Sequence, residues 1–180
     1  MNERRRLMET LKSYLEAALE KEVSHAVVVE TSKVFTEPWV RMRCQFGCFM
    51  YGKSLCCPPH TPAPEVMRKI LDSYRCGILL HRHIRKGYKY VDEFNEIIVD
   101  LERTIFLDGY YKTWAIGSGP CTRCKECNVS GACLHADKAR PSMESCGIDV
   151  FRTAKEHGLP IKVVKDHSHD RNVYGLILVE

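Results

Sequence analysis

The sequence predicts an α/β or α+β fold in which a single sheet is flanked by helices and carries two cysteine-rich loops that bind metal clusters. Segments with helical apolar periodicity alternate along the chain with short β-branched runs. Most of the ten cysteines fall within two stretches, 44–57 and 121–133, where that periodicity is interrupted. Because the 180 residues contain no visible linker or repeat, we expect one cysteine-rich metal-binding domain over residues 1–180.

Four segments are predicted to be helices: 3–21, 64–75, 90–107 and 148–157. The third has the most regular pattern, with apolar residues at intervals of three and four at Val91, Phe94, Ile98, Leu101 and Ile105. A proline-rich turn, TPAP, introduces the second helix, and Gly158 ends the fourth.

Short apolar runs rich in β-branched residues predict strands at 25–30, 39–43, 76–81, 110–117, 161–164 and 174–180. The second of these, WVRMR, alternates in polarity and continues directly into Cys44. The fourth leads the chain through Gly119-Pro120 to Cys121. Both cysteine stretches are therefore expected in loops that follow strands, where rigid elements can position ligands.

The composition excludes several classes of protein. No apolar run approaches the ~18 residues that a membrane span needs, and the charged amphipathic N-terminal segment does not resemble a secretion signal. The formal net charge of +4 comes from scattered Lys and Arg, which gives no bias toward nucleic acid. We therefore expect a cytoplasmic protein, and ten cysteines in a reducing compartment favour metal binding over disulfides.

The downstream cysteines have a spacing that favours an iron–sulfur cluster. Cys121, Cys124, Cys127 and Cys133 lie in the stretch CTRCKECNVSGAC. Three cysteines at successive intervals of three wrap a short loop, in which each thiolate can reach a different iron. Structural zinc sites more often use two C-x2-C pairs with a longer spacer, so zinc is the alternative. The spacing also allows Cys133 to bind a neighbouring cluster, as happens in the bacterial ferredoxin run.

The upstream cysteines predict a second metal site with three firm ligands. They lie in the stretch RCQFGCFMYGKSLCCPP, at Cys44, Cys48, Cys56 and Cys57. Neighbouring side chains point in different directions, so we expect only one of Cys56 and Cys57 to bind, and Pro58 favours Cys57 because it restricts the backbone. Cys56 or Cys146 could complete this site.

Other polar residues have less specific interpretations. Cys76 begins an apolar run and is expected in the core. The pairs His81/His83 and His167/His169 are interpreted as polar residues near strand ends, and His60 and His135 as non-ligands. Four cations surround the downstream cysteines and could stabilise a cluster or guide an acidic partner: Arg123, Lys125, Lys138 and Arg140. Asp149 is expected to cap a helix, and no phosphate-binding glycine motif is present.

At this point the motifs resemble a known family. RCQFGC and YGKSLCCPPHTPAP, followed by GSGPCTRCKEC and ARPSMESCGIDVF, are similar to the predicted metal-binding proteins of domain of unknown function 2284. The resemblance extends to the closing YGLILVE and implies a cysteine-rich, iron–sulfur-type domain of an uncharacterised family found largely in anaerobes. Cys56 and Cys76 depart from the family pattern, and Cys146 is ambiguous. The resemblance supports seven ligands: Cys44, Cys48, Cys57, Cys121, Cys124, Cys127 and Cys133.

Three functions follow from seven such ligands. The leading hypothesis is a protein with two [4Fe–4S] clusters that transfers electrons to a partner enzyme, with no nucleic acid or membrane partner and with a homodimer possible. The second is an enzyme in which an iron without a protein thiolate binds a small molecule or a sulfur compound. The third is a structural or metal-delivery zinc protein, which would be colourless. Flavin binding stays open because it often lacks a short motif.

Overall fold

The computed structural model describes residues 3–85, 89–166 and 169–180. Its helices are α1 (Glu3–Leu19), α2 (Pro38–Gly47), α3 (Pro64–Asp72), α4 (Lys89–Leu107) and α5 (Val150–Glu156). Its strands are β1 (His25–Glu30), β2 (Cys76–Ile84), β3 (Trp114–Ile116) and β4 (Arg171–Leu178). Short 3-10 turns lie at Thr31–Lys33 and Glu144–Cys146.

The four strands form one antiparallel sheet in the order β1-β2-β4-β3. The long central pair joins β2 to β4, and His81 of β2 lies opposite both His25 of β1 and Tyr174 of β4. An antiparallel sheet with helices packed on it is an α+β fold, which confirms the predicted fold class.

Side chains of the central strands alternate between two apolar cores, as the two-residue period of a strand requires. Ile78 and Leu80 of β2 face α1 and α4, where Phe94 and Ile98 are fully buried. The other face, which includes Leu79, packs against α3, α5 and the turn before α5. Helix α4 therefore lies across one face of the sheet, with its polar side turned toward the loop that follows β3.

Two predicted strands are wrong. Residues 39–43 belong to helix α2, because Pro38 occupies its first turn and the large apolar residues Trp39, Met42 and Phe46 recur at helical spacing. Residues 161–164 form no strand, and Val163 is exposed because β3 already occupies the edge of the sheet beside β4. The predicted strand at 110–117 shortens to β3, while β2 continues to Ile84, so His81 is buried inside a strand rather than near its end.

No helix among the described residues combines the length and the apolar character that crossing a lipid bilayer requires.

A substitution at Gly77 tests how closely β2 and β4 approach each other. A Cβ atom at this position would lie 2.6 Å from the backbone carbonyl oxygen of Ile177, which cannot move without shifting β4. We expect Gly77→Ala to lower the free energy of unfolding by about 1–3 kcal/mol, measured by urea denaturation. Gly47→Ala is the control, because nothing lies within 4 Å of its Cβ position. Equal stability of the two variants would contradict the close approach.

Candidate metal centre

The structure gathers eight of the ten cysteines into two groups of thiols. The downstream group lines one cavity of about 400 Å³ and consists of Cys56, Cys121, Cys124, Cys127 and Cys133. The upstream group consists of Cys44, Cys48 and Cys57, and the Cys48 thiol lies close enough to raise the pKa of both Cys44 and Cys57. Cys133 lies with the downstream group, and so does Cys56, although its place in the sequence is beside the upstream cysteines.

Cys56 and Cys57 are neighbours in the chain but belong to different groups. The Cys56 thiol hydrogen-bonds to Cys121, whereas Cys57 faces Cys44 and Cys48. The sequence predicts that only one of the two takes part, with Cys57 favoured and Cys56 incidental. In the structure Cys56 instead becomes the fifth thiol of the downstream group.

Ser54 holds this pair of cysteines in place from a buried position. The Cys56 N–H donates to Ser54 Oγ at 3.2 Å, and the Cys57 N–H donates to the Ser54 carbonyl oxygen at 3.0 Å. The Leu55 N–H between them donates to the Cys127 sulfur at 3.4 Å. One tight turn therefore fixes both thiols and also contacts the downstream group directly.

Cys121 differs in acidity from its neighbours, because its pKa is lowered whereas the pKa values of Cys56 and Cys124 in the same group are raised. The hydrogen bond from Cys56 lowers the pKa of Cys121, and the guanidinium of Arg123 adds to that effect. In the upstream group, burial raises the pKa of Cys44 and raises that of Cys57 to about 11. A metal that binds the upstream thiols must therefore displace their protons, which makes its affinity rise with pH.

Helix α2 positions the upstream cysteines. Cys44 lies in its last turn, and the Cys48 N–H closes the helix by donating to the Cys44 carbonyl oxygen at 3.2 Å. Arg41 of the same helix donates from Nη1 to Thr61 Oγ1, to the Pro62 carbonyl oxygen and to the Ser145 carbonyl oxygen, each at 2.9 Å. This one side chain ties α2 to the loop that carries Cys57.

Helix α4 positions the downstream cysteines through polar residues on one face. Asn95 makes two bonds to residue 118: its Oδ1 accepts from the Ser118 N–H at 2.9 Å, and its Nδ2 donates to the Ser118 carbonyl oxygen at 2.8 Å. Asp92 and Glu96, on the same helical face, accept from Thr122 and Arg123. The start of the cysteine loop is therefore fixed before Cys124.

The end of the same loop is fixed by a buried ion pair. Arg140 donates from Nε to Glu102 Oε2 at 2.8 Å, and its guanidinium lies 4.7 Å from the ring centroid of Trp114. Glu102 Oε1 accepts from the Ala115 N–H at 2.9 Å, which connects the pair to β3. Two of the four predicted cations, Arg123 and Arg140, are thus partners of carboxylates on α4.

The remaining candidates lie elsewhere. Cys76 is buried in the core between α1, α4 and the sheet, which confirms the prediction for it. Cys146 is buried in the opposite core, in the 3-10 turn Glu144–Cys146 that packs against α2. His60 and His135 are exposed, and His169 bonds Asp166, while His167 lies outside the described residues. Asp149 accepts from the Arg152 N–H and caps α5, as predicted.

The donor set fits a metal group that prefers sulfur. Thiolates are soft ligands that select zinc, copper(I) or iron–sulfur clusters. The 400 Å³ cavity of the downstream group is much larger than the ~30 Å³ that one water molecule occupies in the liquid, so it has room for several atoms. Within the described ranges, no three His, Cys, Asp or Glu side chains converge closely enough to hold a single metal ion.

Two groups of thiols on an α+β fold define a candidate metal-binding protein. A family model described as "Predicted metal-binding protein", domain of unknown function 2284, matches residues 27–179, and the chain belongs to this family. The match confirms the resemblance that the cysteine motifs indicate. Neither a curated protein nor a solved structure matches the chain.

Asn95 provides a direct test of how α4 supports the downstream loop. Asn95→Asp keeps the acceptor for the Ser118 N–H but places an oxygen against the Ser118 carbonyl oxygen. We expect a loss of about 1–3 kcal/mol in the free energy of unfolding, with faster amide exchange in residues 117–124 by mass spectrometry. Asp92→Asn is the control, because Asp92 lies on the same face and accepts from the exposed Thr122 side chain. This variant should change the free energy of unfolding by less than about 0.5 kcal/mol. Unchanged exchange in Asn95→Asp would exclude the bridging role.

The buried ion pair predicts a rescue by a second substitution. Arg140→Met leaves Glu102 buried without its guanidinium partner, which should cost about 3–5 kcal/mol in chemical denaturation. Adding Glu102→Gln removes the unpaired charge and keeps an acceptor for the Ala115 N–H, so most of that loss should return. A double variant no more stable than Arg140→Met would show that the charge pairing is not what holds this loop end.

Proposed function

We propose that this protein binds two iron–sulfur clusters, most simply two [4Fe–4S] clusters, and transfers electrons to a partner enzyme. The observation that carries the proposal is the division of eight thiols into two groups joined through consecutive residues, Cys56 and Cys57. Family membership supports metal binding without specifying the metal. The type of metal group is our inference from the thiol count and spacing.

The downstream group would hold the first cluster. A cubane takes four thiolates, and five thiols line this cavity. Cys121, Cys124, Cys127 and Cys133 suffice, and Cys56 then lies beside Cys121 as a hydrogen-bond donor to its sulfur. Hydrogen bonds to cluster sulfurs raise the reduction potential, so Cys56 and the Leu55 N–H would tune this cluster.

The upstream group would hold the second cluster through Cys44, Cys48 and Cys57. Consecutive Cα atoms lie about 3.8 Å apart, so the peptide that joins Cys56 to Cys57 attaches the two thiol groups to nearly the same point of the chain. This short covalent connection supports electron transfer between the two sites. All ten cysteines are free, which suits a reducing compartment such as the cytoplasm.

Exposed apolar side chains beside the upstream group support a protein partner. Met42 and Phe46 on α2, together with Phe49, are 58%, 77% and 75% exposed and lie near the exposed Cys48 in the chain. Clustered exposed aromatic residues are typical of interaction surfaces. We expect this surface to receive the redox partner, which would bring that partner close to the upstream thiols. A second copy of the chain is the competing occupant.

A second candidate function is an enzyme that uses the upstream site directly. Three thiols leave one iron of a cubane without a protein thiolate, and such an iron can act as a Lewis acid toward a substrate. Cys44 and Cys48 border a cavity of about 640 Å³, which is the observation that favours this function. A structural or metal-delivery zinc protein is the third candidate, because thiolates also bind zinc.

Metal and sulfide analysis separates these functions. We expect about eight iron and eight acid-labile sulfide per chain in anaerobically purified protein, with broad absorption near 400 nm. Cys57→Ala should lose the upstream site and retain about half of the iron. Cys146→Ala and Cys76→Ala, which change core thiols, should retain all of it. Zinc without sulfide would exclude both redox functions.

A further inference from the structure

We infer that the 640 Å³ cavity beside the upstream group binds a small organic acid with a flat, mainly apolar body. The cavity extends from Cys44 and Cys48 to the segment before β4. This inference rests on the proposed function in one respect: the acid would bind next to the upstream cluster. Binding of the acid itself depends on the cavity and can be measured separately.

The size and walls of the cavity suit a flat organic molecule. Its volume lies within the range of about 300–1,000 Å³ that is usual for small-molecule sites. Ile148 and Val150 contribute apolar surface, and Trp39 and Phe151 stand partly exposed at its rim, at 43% and 37%. Large aromatic side chains left open to solvent around one cavity favour a ligand that covers them.

Asn172 supplies a fixed hydrogen-bond donor in this cavity. Its Oδ1 lies 2.9 Å from His81 Nε2 and 3.2 Å from His83 Nδ1, and the other nitrogen of His83, Nε2, lies 3.5 Å from Asp170. His81 Nδ1 lies 2.8 Å from Nδ1 of His25, so one of these nitrogens donates and the other accepts. Burial lowers the pKa of His81, which keeps its ring neutral, and its Nε2 then carries the proton that binds Asn172.

The bond from His81 orients the amide of Asn172. Because Oδ1 accepts from His81 Nε2, the Nδ2 group is the other arm of the amide. No acceptor for Nδ2 is found among the residues that the structure describes. Asn172 lines the cavity, so its amide group can donate to an acceptor there, and a carboxylate or carbonyl oxygen is the matching group.

The charges around the cavity favour an anion. Arg43, Lys162 and Arg171 line it, against two carboxylates, Asp149 and Glu144. Asp149 is already engaged, because it accepts from the Arg152 N–H at the start of α5. Arg43 lies 5.3 Å from the ring centroid of Trp39, so a cation and an aromatic surface occur at the same rim. This combination matches an acid whose flat body rests on the aromatic side chains.

The test is calorimetric titration of the anaerobically purified holoprotein with trans-cinnamate and with its neutral amide, trans-cinnamamide. We expect cinnamate to bind with a Kd on the order of 1 mM or tighter, and the amide to bind at least about tenfold more weakly. Asn172→Asp keeps an acceptor for the histidines and removes the amide donors, so it should weaken cinnamate binding by about tenfold. Folding of this variant is checked by thermal denaturation.

A matched pair of lysine variants tests the site without touching a strand. Lys162→Glu reverses a charge at the cavity and should weaken cinnamate binding by about threefold or more, whereas Lys155→Glu makes the same change on α5 outside it and should not. Equal binding of the acid and the amide, or equal effects of the two lysine variants, would overturn the inference. So would absence of cinnamate binding to protein that contains its full iron. Binding as expected in protein that holds zinc alone would retain the acid site and reject the iron–sulfur proposal.

Discussion

Neighbouring side chains in an extended or tightly turned chain cannot point the same way, and the site depends on this constraint at Cys56 and Cys57. The turn closed by Ser54 sends one thiol toward Cys121 and the other toward Cys44. The peptide bond between Cys56 and Cys57 therefore connects the two thiol groups, whose other members come from separate parts of the chain. Any distortion of this turn would displace a ligand of each group at once.

The rest of the fold supports this turn from two sides. Helix α2 brings two cysteines and holds the CCPP loop through Arg41, whereas α4 holds both ends of the downstream loop through Asn95 and Glu102. The sheet is needed because β3 and β4 place α4 in the correct position. The stability of this scaffold and the geometry of the two thiol groups are therefore coupled.

The sequence alone could predict β1 and α4, because each depends on a local pattern of spacing. It misassigned residues 39–43, since five alternating residues fit a strand and also a helix in which Trp39 and Met42 share a face. The role of Cys56 was missed because the contact with Cys121 joins distant segments and leaves no local signal. Asn95 and Glu102 were missed for a related reason: polar residues on an amphipathic helix are expected to face water.

The contact between Cys56 and Cys121 has a consequence for the chain before it acquires metal. Cys121 is the more acidic thiol and hence the better nucleophile, and a second sulfur already lies within hydrogen-bond reach. Dioxygen or another two-electron oxidant could remove two electrons and two protons from this pair and form a disulfide. That bond would consume one downstream ligand and lock the CCPP loop against residues 121–133. Exposure to air would then yield a folded protein that resists reconstitution until a thiol reductant reopens the bond.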